Sequence, residues 1–400
     1  RRPPLHASGR AQPSVPHAAH LPSPVPPTST LPGVYYGNWH ANAGGRNWAL
    51  MATPAGSVAV AGFDLAIAGR NMDLTSFLTG SLVLPGTAAA ASYGGFRGGP
   101  VRVGSLSGAK VLVSQRTIWG QNSLEETPGV DEADLSDHYY WPWYDQQSPG
   151  MTDWVMVSNY NNSSVYYEIT VAGQLKASGT ILPGGNATPT FPGLQSGPVE
   201  VQAWTDAGKT AAAKVIASQR VLSGGGGAFN EVGGIPAGDL SDHYYWTWYD
   251  QQSPGALDWV MISNQNASSI FYEVKVGGSL MSSGTIAAGG NVTPSFPGTM
   301  TGPVEVQTWT DETKLMPAKS IASQRSIWGP SFEETPGYPA GNLNSSFAWT
   351  WYDNQSPGVS NWVMVTNMNP VPIYYEITVA GALKGSGMVP ANGYVTPIFP

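Results

Sequence analysis

The sequence has no cysteine in 400 residues, which excludes disulfides, thiolate-held metals and a cysteine nucleophile. Charge is scarce as well: Asp, Glu, Lys and Arg together make up 11%, against roughly 25% in an average soluble domain. Lys and Arg number 18 and Asp and Glu 26, for a formal net charge of −8. No basic tract is present, so a nucleic-acid footprint is missing, and an acidic membrane surface repels the chain. No apolar run approaches a membrane span; the best, residues 59–68, is short and broken by Asp64. No stretch of ten residues keeps a helical period.

Chemical motifs are equally sparse. Residues 224–227 form a lone glycine run that follows no nucleotide-binding pattern, and nothing resembles a Ser-His-Asp set. The six histidines, His6, His17, His20, His40, His138 and His243, show no ligand spacing, so neither a metal nor a cofactor is expected. The carboxylate pairs Glu125–Glu126 and Glu333–Glu334 have the residue types that acid–base catalysis uses. The third repeat replaces the pair by Asn230–Glu231, and no enzymatic activity is expected.

Glycine, proline and aromatics are abundant: 49 Gly, 34 Pro, 15 Trp, 18 Tyr and 10 Phe. The first two oppose long helices, and the aromatic mass opposes disorder. The chain opens at Arg1 with its first methionine at Met51. That reads as a processed or fragmentary chain whose export signal is gone.

Repetition sets the architecture. Asp153-Trp154-Val155-Met156-Val157-Ser158-Asn159 returns as Asp258 to Asn264 and as Asn361 to Asn367, with a weaker copy at Asn47 to Thr53. Ser-Gln-Arg recurs at Arg116, Arg220 and Arg325, each preceded by a lysine: Lys110, Lys214 and Lys319. A period slightly above 100 residues fits a whole domain rather than a solenoid unit (about 20–50 residues). Within a repeat, short alternating runs such as Val165 to Val171 and Val199 to Trp204 stand between Gly/Pro turns, the pattern of an antiparallel β-sandwich. The expected fold is all-β: residues 1–30 a Pro-rich N-terminal arm, 31–120 a divergent first sandwich, 121–224 a second, 225–329 a third, and 330–400 a fourth that lacks its last strands.

Charges that return in each repeat are informative because charge is rare. Asp145, Asp250 and Asp353 follow the aromatic strand, and Glu168, Glu273 and Glu376 sit mid-strand beside a Tyr. With the three lysines and arginines they read as ion pairs or turn caps where domains join. A sharper alternative makes the lysines donors of Lys–Asn/Asp isopeptide crosslinks. The aromatic strand carries Trp141 and Trp143, Trp246 and Trp248, and Trp349 and Trp351, with Tyr on both faces. One face then packs the core and the other a neighbouring unit or chain, in competition with a sugar-stacking platform. Sequons at Asn162, Asn186, Asn266, Asn291 and Asn344 are candidate glycosylation sites.

The Trp-Thr-Trp-Tyr-Asp, Gln-Ser-Pro-Gly, Trp-Val-Met-Val and Ser-Gln-Arg phrases, over residues 31–400, resemble the tandem immunoglobulin-like β-sandwich repeats of secreted prokaryotic surface and filament proteins. The resemblance implies an extracellular structural role and carries no catalytic residues. The expected function is a subunit of a filament, pilus-like fibre or surface layer. Identical chains join head to tail as a homopolymer, with a strand-deficient last sandwich complemented by an N-terminal arm. The alternative is a cell-surface adhesin or carbohydrate-binding repeat protein whose partners are glycans.

Overall fold

A computed structural model describes residues 33–42, 46–53, 60–61, 63–72, 82–83, 87–105, 111–120, 123–357 and 359–400. The Pro-rich arm and Lys110 lie outside the described residues. The fold is all-β, with 54% of residues in strands. The helical elements among the described residues are single 3-10 turns such as Glu132–Asp134 and Ala237–Asp239, and no helix is long and apolar enough to cross a membrane.

The second repeat shows how sequence becomes layers. One sheet has the spatial order Gln174–Ile181, Val165–Val171, Val199–Trp204, His138–Trp141, Ile235–Pro236; the other runs Asn186–Ala187, Thr152–Ser158, Ile216–Ser223, Ala228–Gly233. Both central strands of the first sheet alternate without a break between buried and half-buried residues, as the pleat requires. Val165, Ile169, Val199 and Val201 meet Val155, Val157 and Ala217 of the facing sheet, with Trp141 and Tyr144 filling the ends. The third repeat has the same two sheets and the same core. The first is built alike around its own core.

Two polar devices recur in the second, third and fourth sandwiches. The fully buried Tyr144 hydroxyl donates to the Asp153 carbonyl (2.6 Å) and accepts from the Phe191 N–H (2.7 Å). Tyr249 and Tyr352 repeat the arrangement with Asp258 and Phe296, and with Asn361 and Phe399. The asparagine that ends each Trp-Val-Met phrase is also buried. Asn159 donates to the carbonyls of Ser163 and Ile181, as Asn264 and Asn367 do to their counterparts. Turn carbonyls that would otherwise be orphaned are thereby satisfied. Glycine is obligatory at position 197, where a Cβ would fall 1.9 Å from the Pro142 oxygen.

The segments that follow the Ser-Gln-Arg strands, the leaders, fall in the following sandwich by the sequence boundaries at 121, 225 and 330, but they pair with the preceding one. Ser123–Pro128 pairs with Leu112–Trp119, Ala228–Gly233 with Ile216–Ser223, and Ser331–Pro336 with Ile321–Trp328. Each leader therefore closes the sheet of the preceding sandwich instead of opening the next one. The Gly224–Gly227 run is the tight hairpin of one such addition, with positive φ at its first three glycines.

The fourth repeat keeps the alternation without the burial. Ile373–Val379 and Ala382–Val389 form a two-stranded sheet, and the inward positions of the first strand are only half buried, unlike those of Val165–Val171. Among the described residues no strand pairs with the other edge of Ile373–Val379, where the second repeat has Val199–Trp204. Trp349, Trp351 and Trp362 are 65%, 43% and 51% exposed.

Replacing Tyr249 by Phe leaves the Phe296 N–H unpaired in a dry site and takes from the Asp258 carbonyl one of its two donors, Gln251 remaining, at a cost of about 1–3 kcal/mol. Tyr352→Phe in the open fourth repeat is expected to cost less, because water reaches its partners. Thermal unfolding followed by far-ultraviolet circular dichroism checks the order; equal losses would contradict it.

Candidate functional site

The Ser-Gln-Arg strands organise the contacts between sandwiches. Because successive strand residues face opposite ways, Gln219 points into its own sandwich while Ser218 and Arg220 point out. Gln219 is fully buried and donates to the Asp153 carboxylate (2.7 and 2.9 Å) and to the Trp143 carbonyl (2.8 Å). Opposite Arg220, in register, stands Glu231 of the leader. Its carboxylate accepts from Arg220 Nε (2.8 Å) and from Ser218 Oγ (2.7 Å). Arg325, Ser323 and Glu334 repeat this set in the third sandwich, and Arg116, Ser114 and Glu126 in the first. The second and third sets are buried, the first partly exposed.

Against this surface docks the aromatic loop of the preceding sandwich. Asn38 donates to Ser218 Oγ (2.8 Å), and the Asn38 carbonyl accepts from Ser158 (3.1 Å). The Pro142 carbonyl accepts from Ser263 (2.5 Å), and that of Thr247 from Thr366 (3.2 Å). Apolar clusters seal the first two joints: Val34 and Tyr36 with Leu135 and Ile216, then Tyr140, Ile235 and Leu240 with Ile321. Thr350, which occupies the place of Asn38, Pro142 and Thr247 in the fourth repeat, meets Ser114 of the first at 2.7 Å and also donates to Glu126. Arg116 lies 5.6 Å from the centre of the Trp351 ring. The fourth sandwich thus meets the Ser-Gln-Arg set of the first at the serine that matches the one Asn38 meets in the second. The four units close into a ring.

The leaders meet inside that ring. Ser123 exchanges hydrogen bonds with the Phe229 backbone, and Trp119 stacks on the Phe229 ring at 5.5 Å. Phe332 packs on Val221 and Ala228. The carboxylate pairs do not converge within a leader, since adjacent strand residues face apart. Glu126 and Glu334 go to arginine, whereas Glu125 and Glu333 from different sandwiches share a hydrogen bond, with Asn230 donating to Glu125 (3.3 Å). Burial first, then the Glu333 carboxyl, holds Glu125 well above the usual carboxyl range.

The remaining sequence candidates divide by environment. Asp145, Asp250 and Asp353 cap the Gln-Ser-Pro turns by accepting two backbone N–H bonds each. Burial alone raises the Asp145 carboxyl, but those N–H groups and Gln195 outweigh it and bring it below the usual value. Glu168 pairs with Lys209 (2.7 Å), and Glu273 with Lys314; each lysine lies over a tryptophan, Trp204 or Trp309. Glu376 is exposed. Lys214 is solvent-exposed, its amine on the Ala133 carbonyl, and Lys319 is exposed too. Neither has the dry carboxylate and amide neighbours that isopeptide formation needs.

Trp141 and Trp246 are core residues whose indole N–H groups bond the leader carbonyls of Val232 and Thr335. With no face open, neither ring offers a sugar platform. Trp143 and Trp248 are half-buried, the latter edge-on to Tyr394 of the fourth repeat at 4.5 Å. Among the sequons, Asn162 and Asn344 are exposed, Asn186 and Asn291 are half-buried in short strands, and the Asn266 amide is occupied by Asn264 and the Lys319 carbonyl. His138 and His243 bond Glu200 and Glu305 on the outer sheet face. Sequence reading missed Glu231 as the arginine's partner, and Asp153 and Asp258 as buried carboxylates. The Arg-to-Glu hairpin spacing across a glycine run was the available signal for the former.

No protein-family model and no curated protein matches the chain. Among solved structures, the M60 catalytic domain with the CBM51-1 and CBM51-2 domains of Clostridium perfringens ZmpB is similar over 70% of this chain and 52% of that one, at 8% identity and a TM-score of 0.14. This chain thus spans about half of that one. A biofilm-associated protein BSP domain is similar over 96% and 94%, at 10% identity and a TM-score of 0.15. TM-scores this low do not define a shared fold.

Two outcomes follow from the geometry. Glu231→Gln strips the charge from a buried pair and is expected to destabilise by about 3–5 kcal/mol, read as a drop in the melting transition. The Arg220→Met, Glu231→Leu double variant should recover most of it. Burial pushes Asp153 up to about 7 from an ordinary 3.8. The native chain therefore holds a proton that the unfolded chain releases between those values, and stability falls as pH rises through that window. Asp153→Asn, which copies Asn47 and Asn361 of the outer repeats, is expected to raise the melting temperature at pH 8 and leave it unchanged near pH 4. Calorimetry at the two pH values checks this.

Proposed function

We propose that this protein is a non-catalytic structural subunit of an extracellular filament or surface layer, whose fourth sandwich is its assembly face. The observation that carries the reading is the open two-stranded sheet of that repeat. Its Ile373–Val379 strand keeps a core-type alternation on a half-exposed face and leaves one edge without a described partner. An apolar face beside a bare edge is the arrangement by which sheets add strands from other chains. The low charge of the chain suits a dry contact between copies.

Adhesion to glycans is the second reading. It is favoured by the exposure of Trp328 and Trp349, 58% and 65%, since free indole faces stack on sugar rings.

Electron microscopy and sedimentation of the purified chain test the first reading. Ordered assemblies are expected, and Ile377→Lys, which puts a charge on the open face, should abolish them without lowering the melting temperature of the complete sandwiches. A chain that stays monomeric at every concentration refutes the assembly role. Glycan binding lost in Trp349→Ala then establishes the alternative.

A further inference from the structure

We propose that the joint between the fourth and first sandwiches is exchangeable, and that a second copy of this chain takes it over, converting closed rings into linear polymers. This rests on the assembly reading above and adds to the open Ile373–Val379 edge a second contact between copies. The first joint and the closing one are heterologous, with the aromatic loop of one sandwich against the Ser-Gln-Arg face of another. A contact of that kind closes a ring when the rotation permits and otherwise propagates as a fibre.

The closing joint differs from the first two in three ways. Successive sandwiches are covalently continuous, which gives each of their joints a high effective concentration; residues 114 and 350 are joined only through the whole ring. The first two joints bury apolar clusters, whereas none of the apolar clusters among the described residues spans the fourth and first sandwiches. The closing contact consists instead of the Ser114, Thr350 and Glu126 hydrogen bonds and the Arg116–Trp351 contact. Finally, Trp351 remains 43% exposed while docked. The ring therefore opens here first. Opening frees a Thr350 loop at one end and a Ser114 face at the other, each the complement of the opposite end of another copy. Exchange between copies then regenerates the same contact.

The absence of cysteine makes the test clean. Ser114→Cys and Thr350→Cys place thiols where two hydroxyls now lie 2.7 Å apart. Equal amounts of the two single variants, one carrying a mass tag, are mixed under assembling conditions and oxidised. Tagged–untagged dimers well above those of either variant alone are expected. The double variant, oxidised while dilute, should lock as a monomer, lose assembly completely and regain it on reduction. Assemblies that form without hetero-crosslinks, or a locked ring that assembles as readily as the reduced one, would overturn the exchange while leaving the assembly role intact. Absence of any assembly would remove both. Trp351→Ala, at an exposed site that leaves the sandwich cores untouched, gives an independent arm: assembly lost with melting unchanged supports the joint, and assembly retained counts against it.

Discussion

Each leader strand places a carboxylate against the arginine of the strand beside it, and much of the molecule depends on that contact. The Arg220–Glu231 and Arg325–Glu334 pairs are buried, so their charges are stable only with the leader in register. Slipping a strand by one residue turns its side chains to the other face and strands both charges. A single electrostatic constraint therefore fixes where the leader ends, aligns the carbonyls that receive Trp141 and Trp246, and aims Glu125, Asn230 and Glu333 at one another. The ring interior is a consequence of that register.

The sandwich interiors were legible because β-structure writes its burial locally. The alternation of Val165–Val171 is visible in seven letters, and its repetition fixed the class and the unit length. The recurring Asp145, Arg220 and Glu168 announced partly buried polar contacts, and Asp145 and Glu168 have the roles that residue type and turn position suggest. What escaped was anything decided by pairing across a boundary. Residues 224–227 read only as a lone glycine run without a nucleotide-binding pattern, yet there glycine supplies the positive φ of a hairpin. Nothing in a linear reading brings Thr350 to Ser114, since that proximity is the sum of three inter-domain angles.

Aromatic residues carry two duties that their letters do not distinguish. Trp141 lies inside its sandwich and anchors the leader by its indole N–H, while Tyr140, one residue earlier, packs on the next sandwich. The same strand is thus both core and interface, so fold stability and ring geometry are coupled in one segment. In the fourth repeat Trp349 stands at the position of Trp141 and is exposed.

Near-identical neighbours in one polypeptide invite mispairing, since a loop from one bead can seat on the wrong bead during synthesis. The docking position reads Asn38, Pro142, Thr247 and Thr350 along the chain, three residue types within otherwise repeated surroundings. A side-chain amide on Ser218, a ring that cannot donate, a carbonyl that accepts from Thr366 and a hydroxyl on Ser114 give each seat its own address. Sequence drift at that single position lets a chain built from copies assemble its parts in only one order.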